Sequence, residues 1–287
     1  MNIFPDFKSP IVDATNNAVN ALVEGYGDTF NEISGSILSV LLLLENALRA
    51  VPPVVMIILI AALAYLASRK ILFTVIVAIS LWAIGALGMW EQSMQTLALV
   101  LVAVLLSVVV GLPIGIMSAS SKVMRKITMP LLDLMQTIPS FVYLIPAAML
   151  FGLGKVPALL ATVIYAVPPL IRLTDLGIRN VDDSIVEASR AFGSTRWQIL
   201  LGVQVPLSLP AIMQGINQTT MMALSMVVIA SMIGARGVGE TVLLGLQRND
   251  SGLGLVGGIT IVILAVLIDR ITQSYGNRIQ RHRSEGV

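Results

Sequence analysis

The chain holds little of what enzymes use to make and break bonds. Its 287 residues include no cysteine and one histidine, His282. That removes thiolate chemistry, disulfides and Cys-based metal sites, and it argues against an imidazole metal cage or a Ser-His-Asp relay. Gly154-Lys155 is followed by Val156, and no G-x-x-x-x-G-K-[ST] loop occurs, so no phosphate cradle for ATP hydrolysis is expected. The polar groups that stand out are of another kind. Gln214, Asn217, Gln218, Met221 and Ser225 fall on one helical face of an otherwise apolar run. Amides there either line a path for a polar solute or bond to a neighbouring helix, each such bond being worth roughly 0.6–2 kcal/mol in a membrane. Met226 and Met232, with Ala230, Ser231 and Gly234, suit an adaptable apolar gate or plain packing.

A second group is the polar stretch EASRAFGSTRWQILLGVQVP, Glu187 to Pro206. Ser184 and Glu187 are spaced as a capping box, which predicts a helix from about Ile185. Gly193 is placed to end it in a left-handed conformation. Thr195 and Gln198 form a second box, and the helix they open runs into Pro206. Ile185, Ala188 and Phe192 share one face of the first helix. Such a face either docks in a partner's groove or covers the base of its own loop.

The elements that hold these groups must be membrane helices. Hydrophobic residues make up 56% of the chain and charged residues 12%, against about a quarter charged in soluble domains. The mean hydropathy is +0.89. The fold class is therefore all-α, a polytopic helical membrane protein. At about 20 apolar residues per crossing, seven spans are expected, near 52–68, 71–89, 94–118, 130–151, 156–174, 205–233 and 253–269. Residues 34–50 read as an interfacial amphipathic helix, with a re-entrant or eighth span as the alternative. No cleavable signal peptide is expected. Of the 18 Lys and Arg residues, thirteen fall on one side, including Arg69, Lys70, Lys122, Arg190, Arg196 and the tail. That side is read as cytoplasmic, with the N-terminus outside and the C-terminus inside.

This divides the chain into an N-terminal part (1–93: external extension, interfacial helix and first two spans), a transmembrane domain (94–273) with a cytoplasmic loop at about 178–204, and a basic tail (274–287). Pro139 and Pro146 interrupt the fourth span, and Pro168-Pro169 the fifth. They read as hinges or as static kinks. Arg172 and Asp175 suggest an i, i+3 surface pair. Gly111 and Gly115, and the G-x-G-x-x-G at Gly252–Gly257, suit close helix packing rather than a nucleotide site. Trp90 reads as an interfacial anchor. The tail RIQRHR is placed to anchor the inside end or to touch anionic headgroups.

The stretch at 187–206 resembles the EAA signature of ABC importer permeases: E-A-A, three residues, Gly, nine residues, I-x-L-P. Here it reads Glu187-Ala188-Ser189, Gly193 and Val203-Gln204-Val205-Pro206. Departures are Ser for the third residue and two valines for Ile and Leu. The segments MQTIPSFVYLIPAAMLFGLG, AVPPLIRLTDLGIR and INQTTMMALSMVVIASMIGARGVGE extend the resemblance to the glycine betaine/proline betaine permeases. This implies a MetI-like permease core, a homodimer in the membrane and two cytoplasmic ATPase subunits that bind ATP and Mg. It also implies an extracytoplasmic solute-binding protein, here expected as a separate chain. Glu187, Ala188, Ser189, Phe192, Gly193, Val203 and Pro206 would then belong to the ATPase-coupling loop. The expected cargo is glycine betaine or proline betaine, with choline, carnitine or another small solute as alternatives. An ion-coupled carrier is a weaker rival. Neither a cofactor nor a metal is expected in this chain, nor is a nucleic-acid partner, and no catalytic residue is assigned. The bacterial cytoplasmic membrane is the expected location.

Overall fold

The computed structural model describes residues 7–284, with side chains through Ser274. The basic segment RIQRHR therefore lies on residues whose side chains are outside the description. The described residues form helices and turns with no strand. A first helix, α1, runs Lys8–Ala50. It ends where Val51 turns extended ahead of Pro52, as a residue before proline must. Pro53 then opens α2 (Pro53–Ser68) from its first position, where no backbone donor is needed. Arg69 turns left-handed at φ 54° and leads to α3 (Ile71–Ala86). Next come α4 (Trp90–Ser120) and α5 (Lys122–Thr137), with Ser121 capping the latter through Met124 N–H.

A 3₁₀ turn (Ser140–Tyr143) and α6 (Leu144–Phe151) follow a sharp break. Then come α7 (Lys155–Ala166) and α8 (Pro168–Arg179). The loop region carries α9 (Asp183–Ala191), α10 (Arg196–Ile199), a π turn (Leu200–Gln204) and α11 (Val205–Leu207). The chain closes with α12 (Leu209–Ser231), α13 (Val238–Gln247) and α14 (Ser251–Ser284).

Among the described residues, five helical stretches are long and apolar enough to cross a membrane: α1, α4, α7 with α8, α12 and α14 to Ser274. A sixth forms if α5 and Ser140–Phe151 are counted as one span bent by 106°. The expected seven differ from this in two places. The α2 and α3 helices are apolar but only 16 residues each, about 24 Å at 1.5 Å per residue. Residues 34–50 are not a separate helix. They are the apolar end of a 43-residue helix, because nothing in residues 8–33 breaks it. Contacts tie this end of α1 to one end of the bundle. Phe30 stacks edge-on with Phe151 at 5.3 Å between centroids. Glu45 pairs with Lys155, and Arg49 with Glu91.

The centre is built from α4, α8 and α12, brought together by small residues. A Cβ on Gly111 would lie 2.9 Å from a Val167 methyl, and one on Gly115 would lie 2.6 Å from Thr174 Cβ. The G-x-x-x-G in α4 is therefore the seat of α8, as expected. The glycines at the start of α14 likewise pack on α13: a Cβ on Gly257 would meet Val242 at 2.7 Å. Around these contacts lies a buried apolar cluster including Leu99, Val102, Leu159, Ala223 and Leu224.

Candidate functional site

The loop between α8 and α12 folds as two short helices at a sharp turn. Asp182, not Ser184, caps the first: its Oδ1 accepts Ser184 N–H at 2.9 Å. The expected Ser184–Glu187 box is thus replaced by an acceptor two residues earlier. A carboxylate at the N-cap meets both the free N–H groups and the positive end of the helix dipole. The same bond from Ser184 holds the Asp182 carboxyl below its ordinary value. At the other end Gly193 takes φ +85°, the left-handed close anticipated from its type. Thr195 and Gln198 form the expected reciprocal box: Thr195 N–H donates to Gln198 Oε1 at 2.8 Å, and Gln198 N–H to Thr195 Oγ1 at 3.4 Å. The chain then widens into the π turn before Pro206. Proline cannot donate to the carbonyl four residues back and crowds it, so a looser turn suits it.

Side-chain exposure decides what this loop presents. Val186, Ile199 and Leu200 are buried and hold it to the protein. Glu187 and Ala188 are exposed, Ser189 bonds back to Ile185 O, and Val203 and Pro206 are half-buried at the exit. Phe192 is 91% exposed and Trp197 69%. Phe192 therefore does not cover the base of its own loop. A cleft of about 390 Å³ between Ala119, Val186, Arg190, Arg196 and Trp197 lies beneath.

Within α12 the expected polar face splits. Gln214, Gln218, Met221, Ser225 and Met232 are exposed along one stripe, about 27 Å from end to end at 1.5 Å per residue. Asn217 leaves it, and Met226 takes the packing role rather than the gate. Asn217 Nδ2 donates to Asp269 Oδ1 at 2.8 Å, tying α12 to α14. Asp269 Oδ1 also accepts from Gln273 Nε2 at 2.7 Å. Met226 is fully buried among Leu144, Ala147 and Ala161. One amide thus takes the interhelical role, and two stay uncovered.

The prolines behave differently from one another. Pro139 precedes the 3₁₀ turn at the 106° break. Pro146 sits in the first turn of α6, and Pro168 and Pro169 occupy the first turn of α8. Val167 N–H still bonds Val163 O, so α7 and α8 continue as one 25-residue stretch. The expected Arg172–Asp175 pair does not form. Arg172 Nη2 reaches Asp133 at 2.7 Å and Arg125 Nε reaches Asp175 at 3.2 Å. Both partners lie on α5, 39 and 50 residues away, where sequence spacing offers no guide. Glu45, only 3% exposed and 2.5 Å from Lys155 Nζ, was also missed as a site. An ionisable group ending the run ILSVLLLL was the available signal.

Residues 111–281 match the profile described as the inner membrane component of binding-protein-dependent transport systems. The chain belongs to this family. It is 58% identical over 198 residues to the Escherichia coli (strain K12) glycine betaine/proline betaine transport system permease protein ProW, covering 69% of this chain and 56% of that one. It thus spans little more than half of that relative. It is 44% identical over 269 residues to the glycine betaine/carnitine transport permease protein GbuB of Listeria monocytogenes serotype 1/2a (strain 10403S), covering 91% and 94%. Among solved structures, an inward-facing MetNI methionine ABC transporter chain matches with a TM-score of 0.56 at 23% identity, over 66% of this chain and 92% of that one. That likeness shows the fold, which is a MetI-like permease fold in a multi-pass membrane protein.

Proposed function

We propose that this chain is the membrane-spanning subunit of an ABC importer that moves a quaternary ammonium solute, glycine betaine or proline betaine first. The outward face of the α9–α10 loop carries this reading. A phenylalanine 91% exposed at the apex of a twice-capped turn is a plug awaiting a socket. The socket belongs to a cytoplasmic ATPase, which binds ATP and Mg. Glu187, Ala188, Ser189, Phe192 and Gly193 form the contact, and Val203 through Pro206 carry its movement to α12. The N-terminus lies outside and the C-terminus inside, and a solute-binding protein delivers the cargo to the outer face. Two copies face each other across the uncovered stripe of α12, where Gln214, Gln218, Met221, Ser225 and Met232 line the passage. Pro139 marks the hinge.

Reconstitution tests this. The chain, its ATPase and its binding protein are placed in proteoliposomes with labelled glycine betaine, with and without internal ATP. Uptake that needs both ATP and the binding protein is expected. Uptake by this chain alone under an imposed ion gradient refutes the importer. ATPase stimulation by a binding protein loaded with another solute keeps the mechanism and changes the cargo.

A further inference from the structure

A second, basic cleft of about 580 Å³ lies between the start of α5 and the end of α8, lined by Lys122, Arg125, Lys126, Met129, Pro130 and Arg179. The three cations of α5 stand at i, i+3 and i+4, so they share one face of its first turn. That turn contains no acidic residue, and the helix dipole adds positive charge at the same place. Only Arg125 has a carboxylate within 4 Å, Asp175. Among the described residues, Lys122, Lys126 and Arg179 have none.

Beside this face, about a third of a turn round the helix, α5 exposes an apolar row. Val123 is 69% exposed, Ile127 64%, Leu131 52% and Leu134 58%. The helix also lies across its neighbour. Arg125 meets Asp175 and Asp133 meets Arg172. Eight residues along α5, about 12 Å, thus answer to three along α8, about 4.5 Å. A helix lying aslant at the end of a bundle, basic on one side and apolar on the next, has the form of an interfacial membrane element.

We propose that this cleft binds the phosphate headgroup of an anionic phospholipid, whose acyl chains lie along Val123, Ile127, Leu131 and Leu134. The charge selects an anion, and the adjoining apolar row selects a lipid over a soluble one. The site needs only residence in a membrane, not the cargo or coupling role argued above, so its failure and theirs are separable.

The test uses the full chain in detergent, equilibrated with equal amounts of phosphatidylglycerol and phosphatidylcholine, with retained lipid counted by native mass spectrometry. Phosphatidylglycerol is expected in excess. The variants K122Q, K126Q and R179Q each lower that excess by about fivefold, the strength usual for one basic side chain at an anionic surface. Arg125 is left intact because it holds Asp175. Helicity and a monodisperse elution profile confirm folding. If the triple variant fails to fold, the K122Q/K126Q pair carries the test. An unchanged lipid preference in a folded variant overturns the proposal. So does displacement of the lipid by millimolar inorganic phosphate, which marks a soluble-anion site. Loss of ATPase co-purification with lipid preference intact also overturns it and assigns the patch to a protein partner.

Discussion

Replacing Gly177 with alanine sets two measurable effects against each other. Gly177 lies near the end of α8, facing the start of α12, so the contact joins the two stems of the exposed loop. An added Cβ would sit 2.5 Å from Ala211 Cβ and 3.2 Å from Ser208 Cβ. Ordinary carbon contacts are about 3.5–4.0 Å, so the helices must part by about 1 Å. Neither neighbour can swing away, because each Cβ is fixed to its backbone. Overpacking of this kind costs about 1–3 kcal/mol, and the rigid contact puts it at the upper end. Alanine returns about 0.8–1.0 kcal/mol in helix propensity. The net loss is about 2 kcal/mol, close to thirtyfold in the folded ratio. Ala211→Gly alone loses about 1 kcal/mol of propensity. In the double variant, however, the new methyl enters the space the old one left, and stability returns toward the parent. Reversible unfolding of all four proteins measures the coupling, and ATPase stimulation by loaded binding protein follows the same order. Additivity within about 0.5 kcal/mol would refute the reasoning, since it would mean that the two residues do not touch.

Gly193→Val should cost about 1–2 kcal/mol through its left-handed backbone alone, as no atom lies near enough to clash. Gly193→Asn should be milder. Transport-coupled ATPase activity is expected to fall for valine and largely survive for asparagine, and equal loss in both would point away from backbone strain. Lys155→Met removes the nearer partner of Glu45, whose side chain is 4% exposed, leaves it only Arg49 at 3.7 Å, and should destabilise by up to about 3 kcal/mol. Glu45→Gln with Lys155→Met should recover most of that in a thermal melt. The Asp182 carboxyl is held below its ordinary value of 3.8 by the bond from Ser184. The cap is therefore fully formed above that value and lost as pH falls through the lower folded one. Amide exchange at Ser184 should stay protected from pH 8 to 5, and Asp182→Ala should abolish the protection throughout.

What could be read from the residues was local. Gly193, the Thr195–Gln198 box and the Gly111/Gly115 seat each depend on neighbours a few positions away, and each formed as expected. The cap of α9 failed narrowly, because Asp182 and Ser184 both offer an oxygen and the carboxylate is the better acceptor at a helix start. The α12 residues were left open for a different reason. Helical spacing put Asn217 on the polar face and left Met226 between gate and packing, because the face each presents is fixed by α14 and α6, whose positions no spacing encodes. The α5–α8 ion pairs were hidden for the same reason. The length of α1 was hidden because polarity was taken for irregularity, whereas a polar segment whose one proline, Pro10, sits in the first turn can continue a helix.

The short hairpin of α2 and α3 has a consequence for the surrounding lipid. Each helix is 16 residues, about 24 Å, against a hydrocarbon layer of about 30 Å. Their outward side chains, Val54, Ile58, Ile79 and Trp82 among them, line an apolar groove. Arg69 and Lys70 at the turn keep that end in water. A layer crossed by this hairpin must pinch by several ångströms, while α4, at 31 residues, demands its full depth. Each ångström of mismatch costs a fraction of a kcal/mol. The protein thus sits on a slope in membrane thickness that steepens as acyl chains lengthen, and the bilayer's elasticity becomes one of the forces acting on its shape.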